Sequence, residues 1–363
     1  MLLWSFEAKR LRNRLKQVLK QLSGFSVISA VMAGWIWGAY TVLEVLIATA
    51  CCLGNTLVVC AVCVCIRDSL REPTFCFLVS LAVADFLVGV AAIPLAVLLD
   101  GWVNLVPELC LLLSCIVLVL TQASVLSLLA IAVDRYLRLQ MPLRYKALAT
   151  QRRTWLAVSV CWILSSLLGF TPLFGWHNYT SLTSNTTNTS SAVFTSPPCT
   201  FLSVVSLPFM VYFNFLGCVM APLLVMTFLY ARIFWSLQGR LKESCPQARA
   251  SLLREKRLAC SLALVLILFA CCWIPLHLMN CLLLFQGAQA VTQGMLYAGR
   301  SPYFSYTIIG ILLSHANSAV NPVVYAYRIP KIQQAYTQIW RRLLLQLHCH
   351  QKNGESKRSV TVC

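Results

Sequence analysis

Residues 107–133 read PELCLLLSCIVLVLTQASVLSLLAIAV. Beyond Glu108 this stretch carries no charge, and its apolar residues run on instead of alternating. A helix needs roughly 20 apolar residues to cross a bilayer. Lipid offers no water to backbone groups, so only helices and closed barrels cross it. Barrel strands are shorter and alternate. The stretch therefore reads as a transmembrane helix. Six others read the same way, at about 38–65, 74–99, 155–174, 207–235, 257–285 and 303–327, with polar segments between them. The expected fold is an all-α membrane protein, a seven-transmembrane-helix bundle.

The composition agrees. Of 363 residues, 59% are hydrophobic and 11% charged, against about a quarter charged in soluble domains. Mean hydropathy is +0.75. The net charge of +18 suits either nucleic acid or a membrane surface, and its placement decides between them. With residue 38 outside, the cytoplasmic segments are 66–73, 134–154, 232–257 and 328–363. They hold 22 of the 29 Lys and Arg, whereas the three outer loops hold only Arg300. Positive charge marks the cytoplasmic side, so the C-terminus is expected in the cytosol and nucleic acid is not needed as a partner. Three glycosylation sequons, at Asn178, Asn185 and Asn188, all fall in one outer loop, which fits. Many of the 18 Cys lie inside the apolar runs (Cys51, Cys60, Cys271). There they act as small hydrophobes and not as a disulfide framework.

Residues 1–37 form an N-terminal segment. Its first 22 residues are basic and amphipathic, against the charge rule for an outside position. They read as a long signal-peptide n-region or as sequence upstream of a start at Met32. The second is preferred, since no sequon precedes the first helix. Residues 38–327 make up the seven-helix domain. Residues 328–363 are read as an amphipathic helix and tail. Ile332, Tyr336, Ile339, Trp340 and Leu343 share one helical face, beside Arg341 and Arg342 for anionic headgroups. Cys349 just beyond is a palmitoylation candidate.

Ionisable residues at membrane depth are expensive and tend to be functional. Here they are Glu44, Asp85, His277 and His315. Around them stand Gly54-Asn55, Leu81-Ala-Val-Ala-Asp85, Asp134-Arg135-Tyr136, Trp162, Pro222 with Tyr230, Cys272-Trp273-Ile-Pro275 and Asn321-Pro322-Val-Val-Tyr325. Spread in order over the helices, they resemble the rhodopsin-like class of G-protein-coupled receptors across about 38–345. That resemblance implies a sodium ion as allosteric modulator at Asp85, Ser124, Asn317 and Asn321, the chain's one expected metal site. It also implies a switch at Asp134, Arg135, Tyr136, Tyr230, Glu255 and Tyr325, with Arg135–Glu255 latching the third helix to the sixth. Pro275 and Pro322 each remove a backbone donor and are plausible pivots.

A narrower resemblance is carried by Ala123–Arg138, Gly169–Trp176, Met210–Asn214 and Leu312–Ser318, which look like adenosine receptors. It implies adenosine as agonist. Phe201 would stack on the adenine, and Asn280 would make a two-pronged amide contact to the purine edge. Trp273 would form the floor. Thr121, His277, Ser314 and His315 would meet the ribose, with Glu44 orienting His315. Leu118, Met210, Leu276 and Ile311 would be apolar walls. A Cys110–Cys199 disulfide would pin the second outer loop over this pocket. Leu202 after Phe201 resembles subtype three, and His277 resembles subtype one. Both imply a heterotrimeric G protein of the inhibitory type, lowering cyclic AMP. Other classes fit less well. No phosphate loop, zinc-protease pair or Gly-x-Ser-x-Gly is present, so an enzyme is not expected. No interrupted repeats suggest a transporter. A light sensor needs a Lys where His315 stands, and an amine receptor an Asp where Val117 stands. The remaining alternative is a receptor of this class for another small molecule.

Overall fold

The structure is a computed structural model that describes residues 34–65, 72–99, 106–178, 200–285, 302–342 and 344. Seven helices form the bundle. They are the first (Gly34–Cys65), second (Pro73–Leu98) and third (Pro107–Gln140), and the fourth (Gln151–Gly169). The fifth (Phe209–Glu243), sixth (Pro246–Phe285) and seventh (Pro302–Arg328) follow. A short helix, Pro142–Leu148, follows the third. A further helix covers 330–342, where the amphipathic pattern predicts one.

Six of the seven are long and apolar enough to cross a membrane. The fourth is the short one, at 19 residues, and it opens on Gln151, Arg152 and Arg153. Its expected end at 174 is not where the helix stops. Pro172 cannot continue an α-helix ladder, and Thr171–Phe174 instead make a 3₁₀ turn closed by Gly175 at φ +116°. The fourth helix still packs tightly on the third. A Cβ at Gly169 would stand 2.5 Å from the Val119 backbone, so only glycine fits there.

Two helices depart from α geometry just before a proline. π-Helical stretches at Val88–Ala92 and Phe209–Met220 precede Pro94 and Pro222. A proline cannot donate to the carbonyl four residues back, and its ring crowds that carbonyl. Widening the preceding turn relieves both. The third and sixth helices run past their apolar stretches into the polar segments, to Gln140 and back to Pro246. Backbone bonding continues there even where lipid does not.

The central core lies between the second, third, fifth, sixth and seventh helices, on Leu78, Leu81, Val125, Met226, Phe269 and Tyr325. The outer faces carry exposed Leu46, Leu53, Leu156, Ile163, Leu224 and Phe228. Apolar surface so placed belongs against lipid. Polar side chains stitch the helices inside. Asn55 donates to the Ser318 carbonyl at 3.0 Å, and Trp162 Nε1 donates to Ser80 Oγ at 3.1 Å.

Candidate functional site: a small buried cavity and an ion-pair cluster

A cavity opens between the second, third, sixth and seventh helices. It is lined by Val88, Ala92, Val117, Thr121, Ser124, Trp273, Ser314, His315, Asn317 and Ser318. Four residues expected at a ligand therefore meet here: Thr121, Trp273, Ser314 and His315. His315 Nδ1 lies 2.9 and 2.8 Å from the two carboxylate oxygens of Glu44. Glu44 is fully buried. A carboxylate with that little water needs a partner, and the His315 ring is that partner. With Nδ1 engaged, Nε2 is the nitrogen left for other contacts.

The remaining expected contacts stand away from this cavity. Phe201, Leu118 and Met210 share an apolar cluster with Cys110, Leu111 and Phe209. Phe201 starts a short helix, Phe201–Val204, capped by Thr200 and Ser203. Asn280 and His277 are buried on the sixth helix. His277 is stacked on Phe215 at 4.6 Å and on Trp273 at 5.7 Å, and neither ring nitrogen has a hydrogen-bond partner. Leu276 packs against Gly310, where an added Cβ would come within 3.1 Å of Leu276 Cα. Ile311 accepts from Ser314 Oγ at 2.7 Å. Cys110 is disulfide-bonded. Its expected partner Cys199 lies outside the described residues, as do Asn185, Asn188 and Cys349. Asn178 is half-buried, with Nδ2 donating to the Val205 carbonyl at 3.4 Å.

Below the cavity, Asp85 is fully buried. It accepts from Ser124 Oγ at 3.1 Å, Ser318 Oγ at 2.8 Å and Asn321 Nδ2 at 2.8 Å. The third and seventh helices thus both close on one carboxylate of the second. Asn317 lines the cavity above instead of bonding to Asp85. One carboxylate with two hydroxyl oxygens is a hard-oxygen donor set, which suits an alkali or alkaline-earth cation and not a thiophilic metal. No group of three or more His, Cys, Asp or Glu is present among the described residues.

At the end of the bundle away from the cavity, Arg135 is buried and pairs with Asp134 Oδ2 at 3.0 Å. Thr74 bonds to both. Arg135 Nη1 stands 3.5 Å from Glu255 Oε2, so the expected contact between the third and sixth helices is present. Tyr145 donates to Asp134 Oδ1 at 2.7 Å. Burial and then the Asp134 charge push its phenol well above the ordinary range, so it stays a donor. Tyr230 and Tyr325 are buried beside this end, and Tyr136 is half-buried against the core. The Tyr325 hydroxyl has no hydrogen-bond partner.

Several polar contacts have no counterpart in the sequence reading. Gln122 Nε2 donates to Asn214 Oδ1 at 2.9 Å, joining the third and fifth helices. A lone amide in an apolar run was the available signal. Arg138 Nη1 meets Glu72 Oε2 at 3.2 Å, and Lys331 Nζ meets Glu72 Oε1 at 2.7 Å. Burial alone would raise the Glu72 carboxyl, but Lys331 and then Arg138 hold it below its ordinary value. It is therefore ionised at neutral pH.

A bundle of seven helices, six of them long and apolar enough to cross a membrane, with a buried cavity between them and an ion-pair cluster at one end, has the form of a membrane receptor. The family model for the seven-transmembrane receptors of the rhodopsin family matches residues 54–325. The chain is 42% identical over 321 residues to adenosine receptor A3 of Ovis aries, covering 88% of this chain and 94% of that one. It is 41% identical over 317 residues to adenosine receptor A2b of Gallus gallus, with 84% and 89% covered. Against adenosine receptor A2b of Homo sapiens it is 42% identical over 327 residues, with 87% and 94% covered. The chain belongs to the rhodopsin family of seven-transmembrane receptors and, within it, to the adenosine receptors. It is a multi-pass membrane protein and not an enzyme.

Proposed function

We propose that the chain is a receptor for extracellular adenosine, coupled to an inhibitory G protein and lowering cyclic AMP. The observation that carries the ligand reading is the buried Glu44–His315 pair facing a cavity shared with Thr121, Ser314 and Trp273. Adenosine pairs a flat base with a hydroxyl-rich ribose. His315 Nε2 and the Thr121 and Ser314 hydroxyls suit the ribose. Phe201 offers a flat apolar face, and Asn280 an amide donor and acceptor for the base edge.

Agonist contact at Trp273 would favour one helix arrangement, and only by its differential affinity for the two states. The sixth helix carries Pro275 inside it, a weakened point about which its cytoplasmic end could swing and part Glu255 from Arg135. A basic cleft edged by Arg135, Tyr230 and Tyr325 would then open to the G protein. Asp85, Ser124, Asn317 and Asn321 would hold a sodium ion, which would supply a positive charge favouring the closed packing.

The choice of an inhibitory partner rests on two features. Leu202 follows Phe201, as in subtype three. The third cytoplasmic connection is also short, with only Ser244 and Cys245 between the fifth and sixth helices. The A3 and A2b relatives are equally similar, so identity does not choose. The test is cyclic AMP in transfected cells that lack other adenosine receptors. A fall on adding adenosine, abolished by pertussis toxin, is expected. A rise would replace the inhibitory partner with a stimulatory one. No response at any adenosine concentration, with the chain at the surface, would defeat the ligand reading.

A further inference from the structure

Glu255 on the sixth helix is met by two arginines of the third. Arg138 Nη2 stands 3.2 Å from Glu255 Oε1, closer than the 3.5 Å between Arg135 Nη1 and Glu255 Oε2. Arg135 is already committed to Asp134 and Thr74, and its Nη1 makes no hydrogen bond. Arg138 follows Arg135 by three residues, so the two side chains share one helix face. The other Arg138 amino group, Nη1, holds Glu72 Oε2 at 3.2 Å. Glu72 in turn holds Lys331 Nζ at 2.7 Å. Lys331 stands at the start of the helix at 330–342, with its ammonium 5.2 Å from the centre of the Phe75 ring.

We propose that Arg138 is a second latch residue, positioned by Glu72 and Lys331, so that the cytoplasmic cleft closes on a chain of ion pairs running from the sixth helix to the helix at 330–342. Each link joins a different element. Glu255 lies on the sixth helix and Arg138 on the third. Glu72 leads into the second, and Lys331 opens the cytoplasmic helix. Opening the cleft moves Glu255 away from both arginines at once. It also frees an Arg138 amino group that Glu72 keeps in place. In this arrangement Arg135 is the buried anchor and Arg138 the closer arm. Side chains of Arg138, Glu72 and Glu255 are each about one-third exposed, so each pair is individually weak and salt-screened. The closure is strong only as a network.

This inference rests on the receptor reading, and its test is separable from the ligand. The full chain is expressed as parent, Arg138→Gln, Glu255→Gln, the double variant, Arg138→Lys and Glu72→Gln. Surface numbers are matched by labelling. Basal guanine-nucleotide exchange is read in membranes holding both inhibitory and stimulatory G proteins, without agonist. Arg138→Gln is expected to raise basal exchange roughly two- to fivefold, the range of exposed ion pairs. The double variant should rise no further than the larger single, because the Arg138–Glu255 contact is already lost in Glu255→Gln. Arg138→Lys, which keeps the charge, should stay near the parent, and Glu72→Gln should rise by less than Arg138→Gln. Unchanged or lowered basal exchange in Arg138→Gln overturns the proposal. So does a double variant whose rise is the product of the singles. If Arg138→Gln does not reach the surface, Glu72→Gln decides in its place, and no rise there overturns the proposal. The parent's response to an adenosine analogue is measured in the same membranes. Its absence would sink the ligand reading while leaving the basal comparison intact.

Discussion

Glu44→Ala is the sharpest single perturbation of the ligand reading. The His315 ring is held at 2.8 and 2.9 Å by two carboxylate oxygens that no water reaches. Removing one member of a buried pair costs about 3–5 kcal/mol, but most of that falls on free and liganded receptor alike. The part that affects binding is the loss of a fixed ring. An imidazole free to turn presents Nε2 to the cavity only part of the time, and the contact it makes there is at most one hydrogen bond. A buried polar contact left unmade costs roughly 1–3 kcal/mol. At 1.4 kcal/mol per factor of ten, affinity for an adenosine analogue should fall about ten- to a hundredfold. Glu44→Gln keeps an acceptor for the Nδ1 proton and should lose less. The assay is saturation binding of a labelled analogue, with surface receptor counted separately. His315→Ala should cost a similar amount, and the double variant little more than either single, since the two act as one unit. Parent affinity in Glu44→Ala at normal surface number would refute the reasoning. So would full additivity with His315→Ala.

Other outcomes follow from the same geometry. Asn280→Ala should weaken analogue binding by at least about tenfold, from purine donors and acceptors left unpaired, and unaltered binding would remove Asn280 from the pocket. Phe201→Ala should also weaken it through lost ring contact, read in the same assay. Asp85→Asn should abolish any difference in agonist affinity between sodium and choline buffers, and a difference that survives would place the cation elsewhere. Glu255→Ala should raise basal exchange roughly severalfold, and unchanged basal activity would remove this ionic pair from the switch.

The bundle was legible because lipid imposes a simple rule on sequence. A helix must carry about 20 apolar residues, and the run 107–133 needs no further context to be read. Where the rule weakens, so does the reading. The fourth helix opens on Arg152 and Arg153 and ends five residues before its apolar stretch does, because Pro172 and Gly175 turn the chain. Asp85, Ser124 and Asn321, grouped by the family resemblance, do meet within hydrogen-bond distance, and a buried carboxylate demands such donors. Ser318 donates to Asp85 and Asn317 does not. That distinction depends on which way neighbouring residues face on the seventh helix, and composition does not encode it. Arg138 and Lys331 entered only the count of basic residues in the cytoplasmic segments, Arg138 also closing the Ala123–Arg138 stretch, and Glu72 was not singled out. Surface charges have many possible partners, and only the folded bundle brings these three within 3.2 Å in sequence.

The cavity and the Asp85 cluster are one structure seen from two sides. Ser124 and Ser318 line the cavity with one surface and bond to Asp85 with their hydroxyls. Trp273 also lines the cavity, and its ring continues through His277 to Phe215 on the fifth helix. A ligand that presses on Trp273 therefore meets an aromatic stack joining the sixth helix to the fifth. It also meets hydroxyls that join the third and seventh helices through Asp85. The cluster does not yield by degrees, because packed interiors switch between discrete arrangements. The sixth helix carries any such change past Pro275 to Glu255, 20 residues before it in the same uninterrupted helix. The lock at that end is loose by comparison, a 3.5 Å contact on a partly exposed carboxylate. A tight buried hub beside the cavity and weak, partly exposed pairs at the far end of the sixth helix suit a receptor of modest agonist energy. The hub couples ligand contacts into one movement, and the pairs release for a few kcal/mol or less.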